Sequence, residues 1–234
     1  MRKRCVIGSL VCGLLLTGCL GPSAPADSTA EIPAVKYIAI TFDDGPKEGT
    51  TDLLLDGLRE RGASATFFVV GEQAVIHTDL LRRMKEEGHQ VGNHTWSHVR
   101  LENAPKDVRR SEIEQVNALL TEVLGAGEYW LRPPYGLISA GMEKEVPVPM
   151  IKWSVDPRDW ESRETDAVVA AVLEQAAPNS IILLHDIYPT SVAAALTVVD
   201  RLQEQGYTFV TVEELLRLNG VMPQAGVLYR TGRK

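Results

Sequence analysis

The sequence predicts an α/β fold with a mainly parallel sheet, formed by a single domain. From residue 36 onward, short apolar runs alternate with longer amphipathic stretches, which is the pattern of strands connected by helices. Polar side chains directly follow most of the apolar runs. The 234 residues are 44% hydrophobic and 24% charged, so the chain has enough apolar material for one buried core. These proportions argue against a disordered chain and against a disulfide-stapled miniprotein.

Seven strands are predicted from seven short apolar runs. The runs cover residues 37–42, 66–70, 90–92, 129–131, 151–154, 181–184 and 208–210. A full (β/α) barrel has eight strands, so the predicted number is one short.

Six helices are predicted between and after these strands. They cover residues 51–60, 79–87, 106–124, 166–176, 191–204 and 213–218. In the third helix, the apolar residues that fall near the helical repeat and predict a buried face are Val108, Ile113, Val116, Leu119, Leu120 and Val123. The connection between the fourth and fifth predicted strands, residues 137–149, is short and contains Pro147 and Pro149, so we expect a truncated helix there. Residues 219–234 lack periodicity, and they are predicted only as a C-terminal tail.

Charge and cysteine content exclude several classes of protein. The net charge is −7, whereas a protein that tracks nucleic-acid phosphates carries a basic excess, so nucleic acid is not an expected partner. The three cysteines, Cys5, Cys12 and Cys19, all lie in the first 19 residues. The body of the chain therefore has no disulfide, no thiolate nucleophile and no cysteine-bound zinc. No protein partner is inferred.

The first 18 residues predict a secretory signal peptide. Three basic residues precede an apolar run over residues 6–16, which is shorter than the about 20 residues that span a bilayer. An uncleaved membrane anchor is the alternative interpretation. Residues 16–19 (LTGC) resemble a bacterial lipobox, in which cleavage leaves Cys19 lipid-modified at the new amino terminus. Residues 19–34 are rich in Gly, Pro, Ser and Ala and predict a flexible linker, so we expect an extracytoplasmic domain that is lipid-anchored to the cell membrane or envelope.

Polar residues follow five of the predicted strands. They are Asp43 and Asp44 after the first strand, His94 after the third, Arg132 after the fourth, residues 156–160 after the fifth, and His185 and Asp186 after the sixth. Barrel-type α/β proteins place their chemistry at the carboxyl ends of the strands. We therefore expect these side chains to meet in one site.

His94 and His98 are spaced for a shared metal ion, since a helical turn would place both imidazoles on one face. Alone, such a pair can equally be two surface histidines that form hydrogen bonds. A carboxylate from Asp43 or Asp44 would complete a His-His-Asp set with open positions for water and substrate. The spacing does not distinguish the two aspartates, and Asp-Asp-Gly-Pro is also ordinary turn chemistry.

The remaining polar residues suggest how proton transfer could be divided. Two adjacent carboxylates repel each other unless one binds a cation and the other pairs with a guanidinium, for which Arg132 is available. An ordinary structural ion pair is the alternative for Arg132. His185 could be a core residue, but a carboxylate from residues 156–160 would orient it as an imidazolium acid. His77 and His89 have no such company and are interpreted as structural or surface histidines.

Together these residues form five motifs that resemble, in order, those of the polysaccharide deacetylases of carbohydrate esterase family 4, the NodB-homology domain. The motifs are residues 41–46 (TFDDGP), 94–98 (HTWSH), 132–136 (RPPYG), 156–160 (DPRDW) and 183–186 (LLHD). The resemblance covers residues 35–218. It implies a distorted (β/α)7 TIM-like barrel and a metal-dependent hydrolase that removes acetyl groups from N-acetylated sugars.

The resemblance also implies a role for each motif residue. Asp44, His94 and His98 would be the metal ligands, Asp43 the general base and His185 the general acid. Arg132 would hold Asp43, Asp159 would orient His185, Trp160 and Leu183 would shape a pocket for the acetyl methyl group, and the Tyr135 backbone amide would face the oxyanion. Zn²⁺ is the expected metal, although Co²⁺ or Ni²⁺ would suit the same ligands.

Three functions remain open at this stage. The first is a peptidoglycan N-acetylglucosamine deacetylase, which a lipid anchor would hold beside its polymer. The second is a deacetylase of chitin oligomers, of another N-acetylglucosamine polysaccharide or of O-acetyl xylan. The third is a carbohydrate-binding protein without turnover, which the intact acid and base disfavour.

Overall fold

Parallel strand pairing dominates the computed structural model of this protein, which describes residues 35–233. The strands are β1 (Lys36–Asp43), β2 (Thr66–Val69), β3 (Gln90–Asn93), β4 (Met150–Ile151), β5 (Ile181–His185), β6 (Tyr207–Phe209) and β7 (Leu228–Tyr229). The predicted signal peptide, the linker and Cys19 lie outside the described residues.

Eight α-helices accompany these strands within residues 35–233. They are α1 (Thr51–Glu60), α2 (Gly71–Ala74), α3 (Thr78–Glu86), α4 (Lys106–Leu124), α5 (Asp159–Ser162), α6 (Thr165–Gln175), α7 (Pro189–Glu204) and α8 (Val212–Leu218). The six predicted helices are all present, with ends that differ by at most two residues. The two helices that the periodicity does not indicate, α2 and α5, have four residues each and are too short to show a helical repeat.

The pairings close a distorted barrel, which confirms the predicted fold class. β1 pairs in parallel with β2 and β5, and β2 pairs in parallel with β3. Leu131 forms one parallel bridge to Asn93 of β3 and another to Met150 of β4. Val155, four residues after β4, forms a parallel bridge to Ile182 of β5. β6 pairs with the first residues of β1. The barrel is distorted because part of its wall is held by these single bridges.

The predicted strand over residues 129–131 is absent, the one over residues 151–154 is shortened to β4, and one strand of the structure was not predicted. The run over residues 129–131 contributes only the bridges at Leu131, because the pairing cannot continue beyond Arg132, where Pro133 and Pro134 lack the amide N–H that a ladder needs. The seventh strand is instead β7, which lies in the segment predicted as a tail. β7 pairs in parallel with β4, and Tyr229 is buried, so residues 219–233 belong to the same structural unit as the barrel.

The core is divided between the two faces of the barrel wall. On β1, Ile38, Ile40 and Phe42 pack outward in a large cluster with residues of α1, α3, α4, α6 and α7. Ala39 faces the other way, into a second cluster that includes residues of α8. Because successive strand residues alternate in direction, Asp43 at the end of β1 lies on the interior side with Ala39.

No helix within residues 35–233 has the length and the apolar composition needed to cross a bilayer. In residues 137–149 the only helical element is a 3₁₀ turn, Met142–Lys144, which agrees with the expected truncation.

Candidate active site

The end of β1 supplies two adjacent carboxylates with different surroundings. Asp43 is the last residue of the strand and is buried, whereas Asp44 follows it and is partly exposed. The Asp44 backbone has a φ of 74°, in the left-handed region. Aspartate tolerates this conformation better than most residues do. The change of backbone direction sends the two carboxylates to different partners.

Asp43 pairs with a guanidinium inside the barrel. Nη1 of Arg132 donates to Asp43 Oδ1 over 2.7 Å and to Thr41 Oγ1 over 2.7 Å, and Nη2 donates to the Lys152 carbonyl over 3.1 Å. Arg132 is fully buried, and its guanidinium carbon lies 4.1 Å from the centre of the Phe68 ring. A buried guanidinium with these contacts is a counter-charge fixed beside the Asp43 carboxylate.

Asp44, His94 and His98 form a candidate metal centre. One ligand atom from each lies within 4.8 Å of the other two. Asp44 Oδ1 lies 3.6 Å from His94 Nε2 and 3.4 Å from His98 Nε2, and it is buried without a hydrogen-bond partner among the described residues. His94 Nδ1 lies 2.7 Å from the Arg132 carbonyl oxygen, which can only accept, so Nδ1 donates there and Nε2 is the ring nitrogen that faces Asp44. The donor set therefore fits a divalent cation.

The helical turn expected for His94 and His98 is wrong. The segment after β3 is irregular, and Thr95 and His98 have left-handed φ angles of 68° and 56°. These two residues fold the chain back so that the two imidazole centres lie 4.9 Å apart. Thr95 N–H donates to the Asn93 side chain over 2.8 Å, which helps to hold the turn. Left-handed backbone at a β-branched residue is strained, and such strain concentrates at functional sites.

His185 stands beside Asp43 across the sheet, because the β1–β5 register pairs the two residues. Its Nδ1 lies 2.8 Å from Asp159 Oδ1, and its backbone N–H donates to Asp159 Oδ2 over 2.8 Å. Burial alone lowers the pKa of His185, but the hydrogen bond and charge of Asp159, with Asp43 and Asp44 nearby, raise it to about 9. The arrangement favours an imidazolium that Asp159 holds in place.

A cavity of about 360 Å³ opens over these groups. The predicted site residues that line it are Asp43, Asp44, His94, His98, Tyr135, Trp160, Leu183 and His185. Arg132 and Asp159, both fully buried, support Asp43 and His185 from behind. Tyr135 has a φ of 61°, and its ring centre lies 4.9 Å from that of His98. The structure thus brings all the predicted site residues of the barrel together, while their chemical roles remain predictions.

Sequence reasoning assigned no role to three further residues that line the cavity, Trp153, Asp156 and Tyr188. Trp153 Nε1–H donates to Asp156 Oδ2 over 3.1 Å. Their positions in the sequence could have indicated them, because all three follow the end of a strand within a few residues. His89 packs as a structural histidine, as predicted. It is buried, its Nδ1 accepts the Ala65 N–H over 3.1 Å, and burial lowers its pKa to about 4.

Comparisons with known proteins identify the same family. The model of the family "Polysaccharide deacetylase" matches residues 31–147, which is half of the chain. The peptidoglycan-N-acetylmuramic acid deacetylase PdaC of Bacillus subtilis is 38% identical over 193 residues, which cover 82% of this chain and 41% of PdaC. The chain thus spans about two fifths of the length of the first curated relatives it matches.

Two further matches extend over nearly the whole of the other protein. A peptidoglycan-N-acetylglucosamine deacetylase of Bacillus cereus is 36% identical, and the match covers 81% of this chain and 92% of the relative. The structure of a family 4 acetyl xylan esterase from Clostridium thermocellum in complex with a cobalt ion superimposes with a TM-score of 0.79 at 32% identity, covering 84% of this chain and 98% of the esterase. Identity at this level over most of two other proteins, joined to the family match, means that this chain belongs to the polysaccharide deacetylase family.

Proposed function

We propose that this protein is a metal-dependent hydrolase that removes N-acetyl groups from peptidoglycan N-acetylglucosamine. The observation that carries the proposal is the position of three candidate metal ligands next to a carboxylate held by Arg132 and an imidazole held by Asp159. The three ligands, the carboxylate and the imidazole all line one cavity. Hydrolysis of an amide needs a proton acceptor for water and a proton donor for the leaving amine, and the two side chains supply both.

Asp44, His94 and His98 would hold the cation, and Zn²⁺ is the metal we propose, with Co²⁺ or Ni²⁺ suited to the same ligands. When bound, a divalent cation polarises a carbonyl oxygen and lowers the pKa of water near it. The cobalt ion in the xylan esterase structure is consistent with a metal-dependent family. Two histidines and one carboxylate leave coordination positions open toward the cavity.

Asp43 acts as the general base. Its Oδ1 is occupied by Arg132, and its Oδ2 lies 3.5 Å from His94 Nε2, beside the cation site. The free oxygen can therefore take a proton from a water that attacks the acetyl carbonyl. The hydrogen bond from Arg132 holds the carboxylate in place while it does so.

His185 acts as the general acid. Its Nε2 lies 4.0 Å from Asp44 Oδ2, so it faces the cation site from the side of β5. Asp159 holds Nδ1, which leaves the Nε2 proton directed toward the cavity. His185 can thus protonate the amine nitrogen as its bond to the acetyl carbon breaks.

The cavity wall would orient the acetyl group. The Tyr135 backbone amide would donate to the developing oxyanion, and the place of Tyr135 in the cavity lining, with a left-handed φ of 61°, supports this role. Leu183 and Trp160 line the cavity as apolar surfaces for the acetyl methyl group. Their contribution is positional, because they carry no group that reacts.

Peptidoglycan is the proposed polymer for two reasons. Two relatives that the chain resembles over four fifths of its length carry names of peptidoglycan deacetylases. A lipid-modified Cys19 followed by a flexible linker would place the domain beside the cell wall at the outer face of the membrane. Acetylated xylan is the second candidate, since the esterase structure matches this chain with a TM-score of 0.79.

The deciding experiment measures acetate release from purified peptidoglycan, chitin oligomers and acetylated xylan, with metal removed and then restored. Asp43→Asn should bind metal but release no acetate, whereas His98→Ala should lose both metal and activity. His77→Ala, a histidine outside the cavity, is the matched control and should keep both. Full activity in the Asp43 and His98 variants would overturn the role assignment.

The proposed location has its own test. Cys19→Ser should move the protein from the membrane fraction to the soluble fraction after cell lysis. An unchanged distribution would contradict the lipid anchor and leave the catalytic proposal intact.

A further inference from the structure

Arg163 is exposed and lies beside the cavity, in contact with Trp160 and Tyr188, two residues that line it. It directly follows α5, and its guanidinium carbon lies 4.6 Å from the centre of the Tyr188 ring. Its Nε–H donates to the Trp160 carbonyl over 3.3 Å. A guanidinium fixed on one side by an aromatic face and at Nε by a carbonyl keeps both terminal nitrogens available, and these are the donors that bind carboxylates in pairs.

No carboxylate among residues 35–233 neutralises this guanidinium at a distance of 4.0 Å or less. The three other arginines that lie over cavity-lining aromatic rings each have a carboxylate partner, and Arg132, over Trp153, pairs with Asp43. Arg100, over Tyr135, pairs with Glu102 over 3.1 Å, and Arg158, over Trp160, pairs with Glu161 over 2.7 Å. Arg163 is therefore the member of this set with an uncompensated positive charge.

The surroundings make this charge consequential for an anionic polymer. The chain has a net charge of −7, and Asp156 lines the cavity, whereas Asp43 is paired with Arg132 and Asp44 belongs to the candidate cation site. The excess of negative charge on the chain disfavours a negatively charged glycan at its surface. An uncompensated guanidinium beside the cavity offsets that repulsion at one point and offers a bidentate partner there.

We propose that Arg163 forms a subsite for a carboxylate carried by the glycan next to the sugar that loses its acetyl group. This inference rests on the proposed function, because peptidoglycan supplies such a group in the lactyl ether of muramic acid. Neutral polymers such as chitin and xylan have no carboxylate for this subsite. Arg163 would thus contribute to selection of peptidoglycan over neutral acetylated polysaccharides.

The test compares one glycan in two charge states. Peptidoglycan strands freed of their peptides by an amidase carry free lactyl carboxylates, and coupling to methylamine converts these carboxylates to neutral amides. Acetate release gives kcat/KM for each form, with chitotetraose as a neutral reference. The wild-type protein should prefer the strand with free carboxylates about tenfold in kcat/KM, the order of magnitude of an exposed charge-assisted contact. Because salt screens such a contact, the preference should shrink as the salt concentration rises from about 50 to about 500 mM.

The variants then assign the preference to one residue. Arg163→Gln should remove most of the preference, and Arg163→Lys should retain part of it, because a charge remains without the planar fork. Arg201→Gln, at an exposed arginine near the far end of α7, should keep the wild-type preference.

Two results would overturn the subsite. In the first, Arg163→Gln keeps the wild-type preference for the free carboxylate. In the second, the variant loses activity equally on the free and amidated strands, as expected of a purely structural residue. If the wild-type protein releases acetate from none of the glycans, the proposed function fails and the subsite fails with it, so the two failures are distinguishable.

Discussion

Arg132 holds Asp43 with its side chain and His94 with its backbone. Its Nη1 lies 2.7 Å from Asp43 Oδ1, and its carbonyl oxygen lies 2.7 Å from His94 Nδ1. One residue therefore fixes both the proposed proton acceptor and a proposed metal ligand. The two prolines that follow Arg132 restrict the backbone of its loop, and this restriction helps to keep both contacts in place.

Removing the guanidinium should destabilise the fold. In Arg132→Met, Asp43 keeps a buried charge without its counter-charge, and a broken buried pair costs about 3–5 kcal/mol. The double variant Arg132→Met/Asp43→Asn should regain part of that loss, because it buries no lone charge. Chemical denaturation of both proteins measures the difference, and a single variant at least as stable as the double variant would contradict the role of the pair.

The acid is expected to depend on its buried partner. Asp159→Asn removes the negative charge that holds the His185 imidazolium, while metal binding should stay intact because Asp159 lies beside no ligand of the candidate centre. Activity should fall by about 10² or more, the usual contribution of a general acid. Acetate release and metal content measured on the same preparation test this. Asp166→Asn, on an exposed position of α6, is the control and should match the wild type.

The loop after β1 leaves no room for a side chain at Gly45. A Cβ atom there would lie 2.3 Å from both carboxylate oxygens of Asp186, which is buried and accepts a hydrogen bond from Thr51. Gly45→Ala should therefore displace the loop that carries Asp44 and lower both the melting temperature and the metal affinity. Gly127→Ala, where a Cβ would meet its nearest atom at 3.6 Å, should change neither. Equal behaviour of the two variants would show that the loop can shift without consequence.

The site was predictable where it follows the strands. Asp43 and His185 end neighbouring strands, so the rule that parallel strands share a carboxyl edge was sufficient to bring them together. Sequence spacing alone could not separate Asp43 from Asp44, because the distinction arises from the left-handed backbone at Asp44. The resemblance to a family supplied that assignment.

The remaining differences come from contacts that are distant in sequence or irregular in backbone. His94 and His98 meet through left-handed residues, which no helical spacing describes. β7 has two residues and is defined by its pairing with β4, about 80 residues earlier, so its own sequence carries no strand signal. Arg163 packs against Tyr188, which follows β5 in the sequence whereas Arg163 precedes it, so only folding brings the two side chains together.

Acid stability should depend on His89. This side chain is 7% exposed, and burial lowers its pKa from the ordinary value of 6.5 to about 4. The charge of Glu87 opposes this shift, and the charge of Arg83 adds to it. As the pH falls, His89 therefore binds a proton in the unfolded chain before it does so in the folded chain. The stability due to neutral His89 is fully present above pH 6.5 and is lost as the pH falls toward 4, by about 3 kcal/mol at one pKa unit per 1.36 kcal/mol.

His89→Asn isolates this effect, because an amide oxygen can still accept the Ala65 N–H but does not titrate in this range. The variant should be less stable than the wild type at neutral pH, since it loses the ring that packs edge-on against Phe67 with centres 5.4 Å apart. That gap should narrow steadily between pH 6.5 and 4 in urea denaturation measured across the range. A gap that stays constant over the same interval would mean that His89 titrates alike in the folded and unfolded chain.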